Sequence, residues 1–136
     1  EQLHTTSQFK LLIPELRIRQ AEFVMIAGSS NSGKSSLFQA ILGEMDLGRN
    51  FGFTVRGSVC FMDQKRFLIS GTILENITFG KEFDQELLDE ALHYSELLAD
   101  LPSITDGLQT IVGEISDTVS GGQRARINLA RCFYQE

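Results

Sequence analysis

The hydrophobic and polar positions divide this chain into short runs of different period. Phe23-Val24-Met25-Ile26-Ala27 is continuously apolar, which predicts a short strand buried on both faces. After it, Leu37, Phe38, Ile41 and Leu42 recur at helical spacing, so a helix is expected over 34–42, with Gly43 as its C-terminal cap. Ser58-Val59-Cys60-Phe61-Met62 reads as a second buried strand, closed by Asp63-Gln64. Ahead of both, Phe9, Leu11, Ile13, Leu16 and Ile18 alternate loosely. They predict one or two strands interrupted by Pro14. The stretch 44–57 is rich in turns, with Gly48, Gly52 and Gly57.

The second half is patterned for helices. Thr72-Ile73-Leu74-Glu75 has the form of a capping box and opens a short helix that Phe79-Gly80 ends. Asp84 is placed to cap the next helix, whose apolar face carries Leu87, Leu88, Ala91 and Leu92. Another short helix is expected over 95–101, stopped by Pro102. Residues 103–117 show little periodicity and an Asp106-Gly107 turn. Ser120, with Gln123 three residues on, predicts a second capping box, and the helix after it carries Ile127, Ala130, Arg131, Phe133 and Tyr134. Strands mixed with helices place the chain in the α/β class.

Composition changes this picture little. At 136 residues and 42% apolar, with ten Phe, the chain is one domain or part of one and can bury a core. A net charge of −6 argues against a nucleic-acid-binding surface. Cys60 and Cys132 lie far apart and form no metal-ligand pattern, so both are expected to be buried thiols in a reducing compartment. No apolar run approaches the ~18 residues of a membrane span. The chain opens at Glu1 and stops inside a helical pattern at Glu136, so a piece of something larger is expected.

Chemistry concentrates between the first strand and the first helix. Gly28-Ser29-Ser30-Asn31-Ser32-Gly33-Lys34-Ser35 matches G-x-x-x-x-G-K-[ST], the phosphate-binding loop. Gly28 and Gly33 let the backbone turn tightly and approach a ligand closely. Asn31 tolerates the left-handed backbone such a loop uses. The N–H groups of the loop and of the helix start, Ser36 included, converge on an anion-sized hollow. Lys34 supplies positive charge to the β- and γ-phosphates of ATP, and Ser35 a hydroxyl to Mg²⁺. The bland alternative is a glycine turn capping an ordinary helix. With glycine at about 7% of residues, an accidental match in a chain this long is roughly a one-in-several-hundred event, and the strand before and helix after make it rarer.

Two further stretches narrow the class. Val119-Ser120-Gly121-Gly122-Gln123-Arg124 places a glycine pair and a Ser cap at a helix start. It resembles the LSGGQ signature of the ATP-binding cassette (ABC) family, with Val119 in place of Leu. Gln64 resembles the glutamine of that family's Q-loop, whose amide oxygen reaches Mg²⁺ or the attacking water. Ser70-Gly71-Thr72-Ile73-Leu74-Glu75-Asn76-Ile77-Thr78-Phe79-Gly80 is similar to the run after the Q-loop in ABC exporters. Its GTxxENIxFG form, with Gly113-Glu114 ahead of the signature, looks most like subfamily C, the multidrug-resistance-protein and chloride-channel branch. The resemblance covers roughly residues 9–134.

The resemblance implies a partial P-loop NTPase core of ABC type. Residues 1–66 would form a β-rich phosphate-loop part, 67–119 a helical subdomain facing membrane domains, and 120–136 the signature helix. Two cassettes would pair head to tail. ATP would lie between residues 28–36 of one and Ser120, Gly121, Gly122 and Gln123 of the other. Lys34 and Gln64 are the expected catalytic residues, and Ser35 and Gln64 the expected Mg²⁺ ligands. Hydrolysis would drive transport by transmembrane domains elsewhere in the parent, with the cassette at the cytoplasmic face. The family's Walker B strand and switch histidine would fall past Glu136, so this stretch alone is expected not to hydrolyse ATP. The adenine-stacking aromatic falls near residues 3–4, where His4 stands. The alternative is a regulatory or degenerate cassette that binds ATP and gates a partner with little turnover. A soluble ABC protein of translation or repair is a third reading, opposed by the acidic balance and the exporter-like run.

Overall fold

A computed structural model describes residues 11–45, 54–113 and 118–135. His4, Phe9, Gly48, Gly52 and Glu114, invoked above, lie outside the described residues. The chain divides into two compact units, Glu1–Gly57 and Ser58–Glu136.

The described part of the first unit is organised on one helix, α1 (Lys34–Ile41). It ends as its sequence predicts. Gly43 adopts φ 77°. The Gly43 N–H donates to Ala40 O and the Glu44 N–H to Gln39 O, the paired bonds of a Schellman motif that satisfy carbonyls the helix leaves over. The strand expected over 23–27 is not formed: the stretch has no regular structure and no ladder partner among the described residues. Phe23 is 87% and Met25 77% exposed. A lone strand leaves its N–H and C=O groups to water, and only a neighbour converts an apolar run into a buried one. The run 58–62 of the second unit behaves alike. It forms no strand, and Val59, Phe61 and Met62 are exposed.

The second unit holds the core. Helices α2 (Ile73–Thr78), α3 (Gln85–Tyr94) and α4 (Gly121–Gln135) pack together, with α4 against both others. Strands β1 (Gly71–Thr72) and β2 (Ile111–Val112) form a short antiparallel pair in which Gly71 faces Val112 and Thr72 faces Ile111. Ile73 and Ile77 of α2, Leu88, Ala91 and Leu92 of α3, and Ile127, Ala130 and Tyr134 of α4 are buried in one cluster, with Leu68, Leu97, Ile104, Val112 and Val119 around them. Each large apolar side chain taken fully from water contributes about 1.5–3 kcal/mol.

The local signals are realised here. Thr72 Oγ1 accepts from the Glu75 N–H at 3.0 Å, while Glu75 Oε2 accepts from the Thr72 N–H at 2.7 Å. Asp84 Oδ1 accepts from the N–H groups of Glu86 and Leu87 at 2.9 and 3.1 Å. One expected helix is absent: residues 95–100 are turns, and 101–103 a single 3-10 turn. Ser95 Oγ takes the Leu97 N–H and donates to Leu92 O, and Glu96 adopts φ 58°. A side chain that bonds neighbouring backbone, followed by a left-handed residue, breaks helical continuation.

A buried polar knot ties α2 to α4. Asn76, with no exposed surface, accepts the Ile69 N–H at 2.9 Å and donates to Ile69 O and Thr72 O at 3.0 and 2.9 Å. Arg131 of α4 donates from Nη2 to Asn76 Oδ1 at 2.9 Å and from Nε to Asn76 O at 2.7 Å. Its guanidinium also lies 4.6 Å from the Phe79 ring centroid. Burial lowers the Arg131 pKa, while the nearby Cys132 and then Cys60 thiols act the other way. Tyr134 fixes the far end of α4. Its hydroxyl donates to Glu82 O at 2.8 Å and accepts the Asp84 N–H at 2.7 Å.

Candidate functional site

The stretch 28–35 folds into a tight loop at the start of α1. The Ser32 N–H donates to Ser29 O at 3.3 Å. Asn31 at φ 61° and Gly33 at φ 96° take the left-handed backbone expected of them. Gly28 has a steric reason too: a Cβ there would lie 2.8 Å from Ser32 Oγ. The Lys34 ammonium bends back over the loop. Its Nζ donates to Gly28 O at 2.9 Å and Ser29 O at 2.7 Å, with Ser32 Oγ at 3.5 Å. A positive charge is thus held inside the ring of residues 28–34.

The helix start adds to that charge. Gly33 offers no side-chain cap, and the first backbone bond runs from the Leu37 N–H to Gly33 O at 3.0 Å. The N–H groups of Gly33, Lys34, Ser35 and Ser36 therefore have no intrahelical acceptor. They carry the positive end of the helix dipole. Ser35 is exposed at this first turn, and Ser30 lies exposed at the loop tip. No acidic residue stands in the first turn of α1, so an incoming anion meets no like charge there.

A second helix start of this kind lies in the other unit. Ser120 Oγ accepts the Gln123 N–H at 3.2 Å, and Gln123 Oε1 accepts the Ser120 N–H at 2.8 Å. The Gln123 amide is further engaged, with Nε2 donating to Ser103 Oγ at 3.1 Å. Gln123 thus shapes the turn from within it. Gly121 and Gly122 are exposed, and their N–H groups precede the first helical bond, from the Arg124 N–H to Ser120 O. Val119 is buried in the core and seats the turn.

Gln64 lies on an exposed bend, its N–H bonded to Asp63 Oδ1 at 2.6 Å. Gln64 and the signature turn belong to one unit, and the phosphate loop to the other. The cysteines depart from expectation. Cys60 is exposed and Cys132 half-buried, and both line a cavity of about 290 Å³ with Phe79 and Arg131. Cys60 is exposed because the run 58–62 has no strand beside it among the described residues.

Sequence reasoning did not single out Arg66, Asn76 or Arg131 as partners. Asn76 carried a readable signal: Ile73, Asn76 and Ile77 share one helical face at spacings of three and four. A polar side chain on a core-facing stripe requires partners. Arg66 carried none.

Both helix starts leave N–H groups without an intrahelical acceptor, the feature by which helix N-termini can bind anions. The chain belongs to the ABC transporter family, whose sequence pattern matches residues 13–136. It is 37% identical over 119 residues to the human protein named ATP-binding cassette sub-family C member 4, covering 88% of this chain and 9% of that one. It is 40% identical over 121 residues to Multidrug resistance protein mrp-7 of Caenorhabditis elegans, covering 89% and 8%. It is 43% identical over 122 residues to a Drosophila melanogaster protein named as a probable multidrug resistance-associated protein, covering 89% and 9%. The chain therefore spans under a tenth of the length of these relatives, and its sequence is most like the subfamily C cassettes. The family confirms the P-loop NTPase reading of the fold class. No helix among the described residues is long and apolar enough to cross a membrane.

Proposed function

We propose that this chain is the ATP-binding part of a transporter cassette, which binds MgATP and, paired with a second cassette in the full-length protein, hydrolyses it to drive transport. The observation that carries the reading is the loop 28–35 closed around the Lys34 ammonium at an uncapped helix start. Lys34 neutralises the β- and γ-phosphates. The N–H groups of residues 33–36 bind phosphate oxygens. In the head-to-tail pair, the Gly121 and Gly122 N–H groups of the second cassette meet the γ-phosphate from the opposite side. Phosphoryl transfer needs chiefly positioning and charge stabilisation, which two such helix starts provide. ATP then joins the pair more strongly than ADP, and closing and reopening move the attached membrane domains.

Ser35 and Gln64 offer an exposed hydroxyl and an amide, hard oxygen donors of the kind Mg²⁺ takes while keeping several waters. Bound with ATP, the ion would spread the phosphate charge. Gln64 orients water through its amide. Ser35→Ala is expected to weaken ATP affinity about tenfold in the presence of Mg²⁺ and to leave it unchanged in EDTA. Fluorescent-nucleotide titration in both buffers checks this. Equal losses in the two buffers would contradict a metal role for Ser35.

A further inference from the structure

The chain has two cysteines, and both line one cavity of the second unit. Cys60 reaches it from the run 58–62 and Cys132 from α4, with Arg131, Asn128 and Phe79 in the same wall. The volume of about 290 Å³ is at the lower end of small-molecule pockets, which start at about 300 Å³. The phosphate chemistry described above uses neither thiol.

Arg131 stands beside both sulfurs. Burial lowers its pKa, and Cys132 and then Cys60 oppose that shift, so both thiols lie close enough to act on one guanidinium. The guanidinium is held in place, with Nε and Nη2 bonded to Asn76 and Nη1 to Phe67 O. A fixed positive charge in the wall of a cavity favours anionic molecules there. A soft metal ion, another partner for paired thiols, is disfavoured by the same charge. No third Cys, His, Asp or Glu joins the pair to hold such an ion among the described residues.

We propose that Cys60 and Cys132 form a thiol–disulfide exchange site, which takes a small anionic disulfide of the glutathione type and closes to a Cys60–Cys132 bond. Cys60 is exposed and Cys132 half-buried, so Cys60 reacts first, because exchange depends on access. Its thiolate attacks one sulfur of glutathione disulfide. The S–S bond of the reagent breaks, one glutathione leaves as its thiolate, and a mixed disulfide forms on Cys60. The Cys132 thiolate then attacks the Cys60 sulfur and expels the second glutathione. Two protein thiols are oxidised, the reagent is reduced to two glutathione molecules, and these take up the two protons the cysteines lose. The new bond ties the run 58–62 to α4 covalently. It goes beyond the cassette reading and does not depend on nucleotide binding.

The test uses the full-length transporter, folded and in native buffer, treated with glutathione disulfide, alkylated and digested. Mass spectrometry then reads the peptides that carry positions 60 and 132. Wild type is expected to yield the two peptides linked to each other, and dithiothreitol to separate them. Cys132→Ser is expected to stop at the mixed disulfide, with glutathione retained on Cys60. Cys60→Ser is expected to leave Cys132 alkylated as a thiol. Wild-type protein in which both positions remain alkylated thiols would overturn the proposal. So would glutathione on Cys60 with no linked peptide, or a linked peptide that forms only in urea. Glutathione on Cys132 in Cys60→Ser, as readily as on Cys60 in Cys132→Ser, would overturn the order of the two steps.

Discussion

Gly121→Asp in the full-length transporter is expected to stop ATP turnover, by at least about a hundredfold, while MgATP still binds at the loop 28–35. The substitution separates function from folding by the sign of its charge. Asp is favourable in the first turn of a helix, where it complements the dipole, so α4 should form as before. The position is exposed, so no core contact is lost. The new carboxylate lies beside Arg66, whose Nη1 is 3.1 Å from where the Cβ would stand, and an ion pair there draws Arg66 off the Gly121 carbonyl. The same carboxylate puts negative charge where the signature N–H groups would meet a γ-phosphate. Removing one preorganised donor from a developing anion costs about 10²–10³ in rate elsewhere, and adding a like charge costs at least as much. Phosphate release and fluorescent-nucleotide binding in the same samples check this. Near-normal turnover would contradict a role for this turn in catalysis.

Asn76→Ala is expected to destabilise the second unit by about 3 kcal/mol, read as a lower urea midpoint with an unchanged slope. The side chain is fully buried and makes four hydrogen bonds, two to Ile69, one to Thr72 and one to Arg131. Truncation leaves the Ile69 N–H, two carbonyls and part of a desolvated guanidinium short of partners, and unpaired buried groups cost more than paired ones return. Asn76→Asp is the informative companion. It keeps the acceptor for Arg131 and Ile69 but removes the donors to Ile69 O and Thr72 O. An exposed, replaceable Asn76 would tolerate both changes.

The features legible in the sequence are those a few residues can enforce alone. The capping boxes at Thr72 and Ser120, the Asp84 cap, the left-handed Asn31 and the Schellman end at Gly43 each involve partners within five residues. Their physics is local, so the pattern specifies them. The apolar runs 23–27 and 58–62 are different. Their composition suits a buried strand, but burial requires a neighbour that the run itself does not supply, and among the described residues they form no strand and stay largely exposed. The turn at 95–100 depends on Ser95 bonding the backbone of Leu92 and Leu97, a choice that helical spacing alone does not reveal. Long-range ties were least visible. Arg131 meets Asn76 across 55 positions, as Arg66 meets Gly121, and only the packing of α4 on α2 and the segment before it brings them together. Of the site, the loop and the signature turn were readable because glycine spacing and caps are local. The use of the Gln123 amide within its own turn was not.

The most direct measurement is calorimetric titration of MgATP into the wild-type protein and Lys34→Ala, side by side. The ammonium now sits among the carbonyls of Gly28 and Ser29 and is the one full positive charge within the residues of the loop. Its removal leaves the loop with backbone dipoles alone to set against the phosphate charge. Measurable binding by the wild type is expected, with affinity about a hundredfold weaker in Lys34→Ala, the scale of losing one partner from a close charge pair. Equal affinity in the two proteins would show that the loop 28–35 does not hold the phosphates and would contradict the assignment on which the rest depends.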